Sequence, residues 1–343
     1  MENINKIIFD DVGEFFSHID WNELDGKSIL VTGASGLLGT YFIATLKEIC
    51  RQLDSPPLVI AVIHSPLAPF QENLFDFKQL NVWEGDLTSI EFCHSLPRVD
   101  YIIHAAGYGQ PAKFTQDQLR TLKINTMTTL LLAEKLHPNG KFLFISTSEV
   151  YSGLSNPPFS ETQIGTSNTL HARASYIEGK RTGETICNIY RNNGLNFKSA
   201  RLALAYGPGT KNGDRRVLNE LIKKAFEGKI ELVDQGQAWR TYCYVSDAVE
   251  TMWEILLHGT ESIYNVGGKS RTTIAQLAEQ ISKLLEVSVK IPDIERGLTG
   301  APDDVYLNLS KIETEFGKTK FVNLEEGLSR TIAWQKQFYQ KPL

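Results

Sequence analysis

Short apolar runs recur along the first half of the chain, separated by longer stretches of helical periodicity. Ser28 to Thr32, Leu58 to Ile63, Val82 to Trp83, Tyr101 to His104 and Lys141 to Ser146 are short and regularly spaced, which predicts strands rather than buried helices. Helical patterning falls between them, from about Leu38 to Arg51 and from Leu119 to Leu136. Strands alternating with helices imply βαβ units and a parallel sheet covered on both faces.

The second half changes character. It predicts a long helix over Tyr176 to Asn192, then a strand over Lys198 to Leu204 that runs into the turn Tyr206-Gly207-Pro208-Gly209. Helices follow over Val217 to Glu227, Asp247 to Leu257, Thr273 to Leu285 and Leu324 to Tyr339, with a short strand near Ile230 to Val233. Asn323 is placed to cap the last helix, and Glu325 and Glu326 suit the positive end of its dipole. The expected architecture is α/β: a Rossmann-type doubly wound parallel sheet over residues 28–205 and a smaller, interleaved substrate-binding lobe over 206–343. Residues 1–27 form an N-terminal extension. Substrate would sit in the cleft between the lobes.

A formal net charge of -5 with no long basic block argues against a nucleic-acid surface. No apolar run reaches the ~20 residues that span a bilayer. The N-terminus carries acids and no signal-peptide core, so a cytoplasmic location is expected. Cys50, Cys93, Cys187 and Cys243 are scattered without CxxC spacing, which predicts free thiols rather than a metal site or a disulfide framework.

Three motifs carry the chemistry. Gly33-Ala34-Ser35-Gly36-Leu37-Leu38-Gly39 follows an apolar strand and opens a helix. There, glycines allow a tight turn and bring backbone amides close to a pyrophosphate. A later strand ends in Ser146-Thr147-Ser148-Glu149. Tyr176 and Lys180 lie i, i+4 on one helix face. A phenol titrates near ~10, and a neighbouring ammonium is expected to lower that value and make the tyrosine a base. Together the motifs point to redox chemistry on an alcohol. The second strand ends in Ile63-His64-Ser65, with neither the acid usual for NAD nor an arginine for a 2'-phosphate, and the missing positive charge favours NAD over NADP. Asp86, after the third strand, is placed to accept from the adenine amino group, and His64 could assist ribose or phosphate.

This ordered set resembles the extended short-chain dehydrogenase/reductases, in the nucleotide-sugar epimerase/dehydratase branch, over nearly the whole chain. The matching segments include Gly85-Asp86-Leu87, His104-Ala105-Ala106, Lys123-Ile124-Asn125-Thr126, Tyr206-Gly207-Pro208 and Tyr244-Val245-Ser246-Asp247. Within the branch, Ser146 to Tyr151 and Arg173 to Arg181 look most like UDP-glucuronate decarboxylases.

The resemblance implies that Tyr176 deprotonates the sugar C4 hydroxyl. It implies that Lys180 lowers the tyrosine pKa and holds the nicotinamide ribose, that Thr147 supports the C4 oxygen, and that Glu149 lies near C5 or C6. It assigns Gly33, Ser35, Gly36, Leu37, Leu38, Gly39, Asp86, Leu87, Ala105, Ala106 and Asn125 to the NAD site, with Tyr176 and Lys180. It assigns Ser148, Arg216 and Arg240 to the substrate, the arginines through a nucleotide diphosphate, with a UDP-sugar favoured. No metal is implied. Relatives pair through two long helices, so a homodimer using Leu119 to Leu136 and Tyr176 to Asn192 is expected.

Three departures bear on the reaction. No arginine precedes Pro302-Asp303, where Ala301 stands; Leu204 replaces a substrate-binding asparagine; and Ser148 replaces the acid by which 4,6-dehydratases expel the C6 hydroxyl. C4 epimerisation, 4,6-dehydration, NADPH-dependent ketone reduction and non-catalytic dinucleotide sensing are the alternatives to decarboxylation.

Overall fold

A computed structural model describes residues 5–294 and 304–339. The strands in chain order are β1 (Ser28–Thr32), β2 (Leu58–Ile63), β3 (Leu80–Glu84), β4 (Val99–His104), β5 (Leu136–Thr147) and β6 (Asn196–Leu202). They continue with β7 (Leu204–Tyr206), β8 (Lys229–Glu231), β9 (Trp239–Tyr244), β10 (Ile263–Val266), β11 (Ser270–Thr273) and β12 (Ser288–Lys290).

Seven strands form one sheet in the order β3-β2-β1-β4-β5-β6-β10, with every pairing parallel. This is the doubly wound arrangement expected. Its central strands are apolar on both faces because helices cover both sides; Ile29, Leu30 and Val31 are wholly buried. The strand order reverses between β1 and β4, so a crevice opens at their carboxyl ends. The glycine turn follows β1 there, and Ala105-Ala106 follows β4.

Two expectations about elements are corrected, and the N-terminal extension gains a helix. The helix over Leu119 to Leu136 is instead a chain of short helices, Pro111–Gln116, Gln118–Asn125 and Met127–Ala133, and Leu136 already belongs to β5. Asp117 caps the Arg120 amide at 3.3 Å, and Thr126, at φ -115° and ψ -79°, breaks the run just after Asn125. The strand over Lys198 to Leu204 divides at Ala203 into β6, in the large sheet, and β7, in the small one. The N-terminal residues carry a helix, Lys6–Phe16, whose Ile8, Val12 and Phe15 enter the main core. Its buried Asp11 accepts hydrogen bonds from Tyr41 (2.5 Å) and Tyr244 (2.8 Å) and pairs with Arg330 (2.7 Å). One carboxylate thus ties the first helix to the glycine-turn helix (Leu37–Gln52), the end of β9 and the last helix (Leu324–Tyr339).

The smaller lobe holds the sheet β11-β9-β7 and the pair β12–β8. Helices Val217–Phe226, Ile274–Leu285 and Leu324–Tyr339 pack on it around Tyr206, Leu221, Tyr242, Leu277 and Leu328. Asn323 caps the last helix as expected, its Oδ1 accepting from the Glu326 amide at 3.0 Å. Because β10 returns to the large sheet, the lobes interleave. Cys93, Cys187 and Cys243 are buried and Cys50 is half-buried, all as free thiols.

Candidate active site

The glycine turn is a cradle that side chains would fill. Gly33 has φ +65°, and a Cβ there would lie 2.7 Å from the Ala105 carbonyl oxygen. A Cβ on Gly39 would lie 2.3 Å from the Gly33 oxygen. The Gly36 amide closes the turn onto the Gly33 carbonyl at 2.9 Å, and Leu37 begins the helix. Amides at this helix start point into the crevice, where an anion is favoured. Ser35 is buried and held through its carbonyl by Gln71 at 3.1 Å, while Leu37 and Leu38 pack against the core.

Asp86 is fully engaged by the chain itself. Arg120 takes both its oxygens at 2.7 and 2.8 Å, and the Thr88 amide and hydroxyl each donate at 2.8 Å. Although burial opposes it, these donors bring the carboxyl down to about 2. Leu87, next along, is buried, and its carbonyl accepts from Thr128 at 2.7 Å. Arg120 was not singled out in the sequence; its contact with Asp86 spans 34 residues.

A second buried chain fixes Ala105-Ala106. The Ala106 amide donates to Thr32 Oγ1 at 3.1 Å, and that hydroxyl contacts His104 Nδ1 at 2.8 Å. His104 Nε2 lies 3.1 Å from the Ile124 carbonyl, which can only accept, so Nε2 carries the proton. Burial, then the Lys180 charge, holds this imidazole near 3 and therefore neutral. Asn125 follows directly. Its amide donates to Thr121 at 2.7 Å, but its buried Oδ1 has no partner among the described residues.

Tyr176 and Lys180 stand on helix Ala174–Asn192, both buried. Tyr176 stacks flat on Phe114, with ring centroids 4.3 Å apart and planes at 2°. The Thr147 hydroxyl, which accepts the Glu149 amide at 3.2 Å, is near enough to draw the phenol's pKa down. Lys180 Nζ donates to the Ile145 carbonyl at 2.6 Å, and it and Asn125 Oδ1 each lie 3.9 Å from where a Cβ on Gly107 would stand.

The electrostatics differ from the sequence expectation. Burial pushes the phenol up to about 12, with the Thr147 hydroxyl, Arg173 and Arg216 pulling the other way. Burial pulls Lys180 down to about 7, opposed by Glu184. The i, i+4 placement is as expected, but desolvation is the largest influence on the phenol, and Lys180 is not among the groups that draw it down.

A lysine whose folded pKa lies below its free value costs stability while it is charged. Stability should therefore rise with pH from about 7 towards 10.5 at this site. Lys180→Met should remove the penalty, raising the melting temperature most at and below pH 7 and flattening that rise, while abolishing activity. Thermal unfolding of both proteins across this range checks it; an equal or lower melting temperature for the variant at pH 7 contradicts it.

Glu149 opens the short turn Ser148–Tyr151 after β5 and pairs with Arg173, whose guanidinium lies 5.9 Å from the Phe114 ring. Burial raises the Glu149 carboxyl, and Arg173, His171 and Arg240 oppose that. Ser148 is buried beside it. His171 also lines a cavity of about 430 Å³ with Gly153, Ser167 and Leu170. Arg216 acts on Tyr176 at a distance, but its guanidinium is committed: it holds Asp214 at 2.7 to 3.1 Å and the Ala205 carbonyl at 2.9 Å. Arg240, on β9, acts on both Glu149 and Tyr242. Leu204 is half-buried on β7 opposite Tyr242. Ala301, Pro302 and Asp303 lie outside the described residues, while Asp304 pairs with Arg271 at 2.6 Å.

One turn beyond Lys180, Glu184 forms a buried pair with Arg201 on β6 at 2.8 and 3.0 Å and accepts the Ser146 hydroxyl at 2.6 Å. The consecutive residues Ile145 and Ser146 therefore hold Lys180 and Glu184, with Thr147 next along near Tyr176. Glu184 was legible, four residues after Lys180, and Arg173 three before Tyr176; the sequence reading gave neither a role.

The chain belongs to the NAD-dependent epimerase/dehydratase family, whose model matches residues 29–267. It is 30% identical over 324 residues to UDP-glucuronic acid decarboxylase 1 of Xenopus tropicalis, covering 91% of this chain and 72% of that protein. It is 29% identical over 317 residues to UDP-glucuronic acid decarboxylase 6 of Arabidopsis thaliana, covering 88% and 86%. An epimerase from Methanothermobacter thermautotrophicus shares the fold at a TM-score of 0.79 and 22% identity, over 97% of this chain and 96% of that one. UDP-glucuronic acid 4-epimerase of Bacillus cereus, solved with UDP-glucuronic acid and NAD, does so at 0.75 and 23%, over 91% and 100%. The protein is thus an NAD-dependent enzyme, and its own geometry fits that cofactor: a tight turn closed by two glycines where any Cβ would strike neighbouring backbone, and a buried, unpartnered Asn125 Oδ1 near Lys180.

Proposed function

We propose that the enzyme decarboxylates UDP-glucuronate through a transient 4-keto sugar. The observation carrying this reading is the cluster at the end of β5, where the buried Tyr176 phenol is under the influence of both Thr147 and Glu149, and Glu149 is paired with Arg173. When bound, NAD takes a hydride from the sugar C4 and later returns it. Tyr176 takes the C4 hydroxyl proton, and the Thr147 hydroxyl steadies the oxygen that loses it. Lys180 and Asn125 hold the ribose on the nicotinamide side, and the glycine turn holds the pyrophosphate. Asp86, anchored by Arg120, closes the adenine end. The C4 ketone is β to the C6 carboxylate, so the C5–C6 bond can break with its electrons drawn into the carbonyl. Carbon dioxide leaves, and C5 of the resulting enolate takes a proton from water to restore the ketone before C4 is reduced. Ser148 is a weak acid, which disfavours loss of the C6 hydroxyl as water. Arg240 binds the diphosphate, and Arg216 lends it positive charge while committed to Asp214.

In this reading the enzyme is a cytoplasmic homodimer. Exposed Leu119, Leu122, Leu130 and Ile189 on helices Gln118–Asn125, Met127–Ala133 and Ala174–Asn192 support the dimer. Among the described residues no helix is long and apolar enough to cross a membrane.

The test is a mass balance. Purified protein incubated with UDP-glucuronate should release carbon dioxide and form a UDP-pentose without net reduction of added NAD. Loss of water, or an isomer of unchanged mass, would replace the reading with dehydration or epimerisation.

A further inference from the structure

The committed carboxylates near the site are saturated. Both oxygens of Glu184, Asp214 and Asp86 are hydrogen-bonded within the chain. Glu149 differs: Oε1 meets Arg173, but Oε2 is buried without a partner. The arginines differ in the same way. Arg216 spends its Nε and both Nη atoms on Asp214 and Ala205. Among the described residues Arg173 donates through Nη1 alone, to Glu149. An unsatisfied carboxylate oxygen and an open guanidinium edge therefore lie side by side, next to the phenol facing C4.

We propose that Arg173 selects the substrate by the charge on its C6 group, offering its open edge to a carboxylate while Nη1 keeps Glu149. This rests on the UDP-glucuronate reading above and names the residue that would enforce it. A planar carboxylate matches the guanidinium fork. Two carboxylates beside one guanidinium favour a proton on one of them. Glu149 is suited to carry it, since burial already raises its carboxyl, and its Oε2–H can then donate to the substrate carboxylate. A C6 hydroxymethyl offers no charge to match, so Arg173 contributes little to binding UDP-glucose.

The experiment is calorimetric titration of the NAD-loaded protein with UDP-glucuronate and with UDP-glucose. Arg173→Met should weaken UDP-glucuronate binding roughly 30-fold, the ~2 kcal/mol of a charge-assisted hydrogen bond, and leave UDP-glucose within about twofold. Glu149→Gln, which keeps a donor there, should hold UDP-glucuronate affinity within about threefold of wild type. UDP-glucose binding also reports that each variant is folded. Equal losses for both sugars in Arg173→Met, or an unchanged UDP-glucuronate affinity, overturn the proposal, as does a tenfold or larger loss in Glu149→Gln. If the wild type binds UDP-glucuronate and releases carbon dioxide, such results count against Arg173 alone. A wild type that binds neither sugar overturns both readings.

Discussion

Tyr176→Phe should lower turnover roughly a thousandfold, within the range of a lost general base, while leaving NAD bound. The substitution removes one oxygen and keeps the ring. The stack on Phe114, centroids 4.3 Å apart, survives, as does the helix carrying Lys180. What disappears is the phenol to which the proposed mechanism assigns the C4 proton. Because burial holds the phenol near 12, wild-type activity should rise with pH on the alkaline side, as the phenolate becomes populated. Steady-state kinetics with a cofactor titration check this. Turnover within tenfold of wild type, or loss of NAD binding, would defeat the base assignment.

Glu184→Ala should be the most damaging substitution for stability, costing about 3–5 kcal/mol by leaving a buried guanidinium without its carboxylate. Arg201 would keep only Tyr151 Oη at 2.9 Å and the Glu161 and Gln163 carbonyls. The Ser146 hydroxyl would lose its acceptor, between Ile145, which holds Lys180, and Thr147, near Tyr176. Denaturant unfolding measures the loss. A cost below about 1 kcal/mol, the value of an exposed pair, would mean that the pair does not organise this strand.

Most of the large sheet was legible because its central strands are buried on both faces, and such strands read as unbroken apolar runs. The Tyr176–Lys180 spacing was legible because one helix sets it. The sequence hid whatever depends on separate elements meeting. The Asp86–Arg120 pair joins residues 34 apart in the chain. The Arg216–Asp214 pair, two residues apart, was there to be noticed. The aromatic run of β9 carried a strand signal that the reading used only for its Tyr244 end. Strands as short as β10, four residues, take their place from the sheet that receives them rather than from their own pattern. The tyrosine's acidity was misjudged for a related reason: spacing reports a neighbouring charge, but only the fold reports how much water has been removed.

The central claim is that the sugar is oxidised at C4 and reduced again at the same carbon by the same bound cofactor. UDP-glucuronate carrying deuterium at C4 tests it most directly, with the product read by mass spectrometry and NMR. The account predicts a pentose that keeps its deuterium at C4, with none passing to water and no NADH accumulating. A product that has lost the label, or carbon dioxide released from a sugar that never exchanged its C4 hydride with the cofactor, would contradict it.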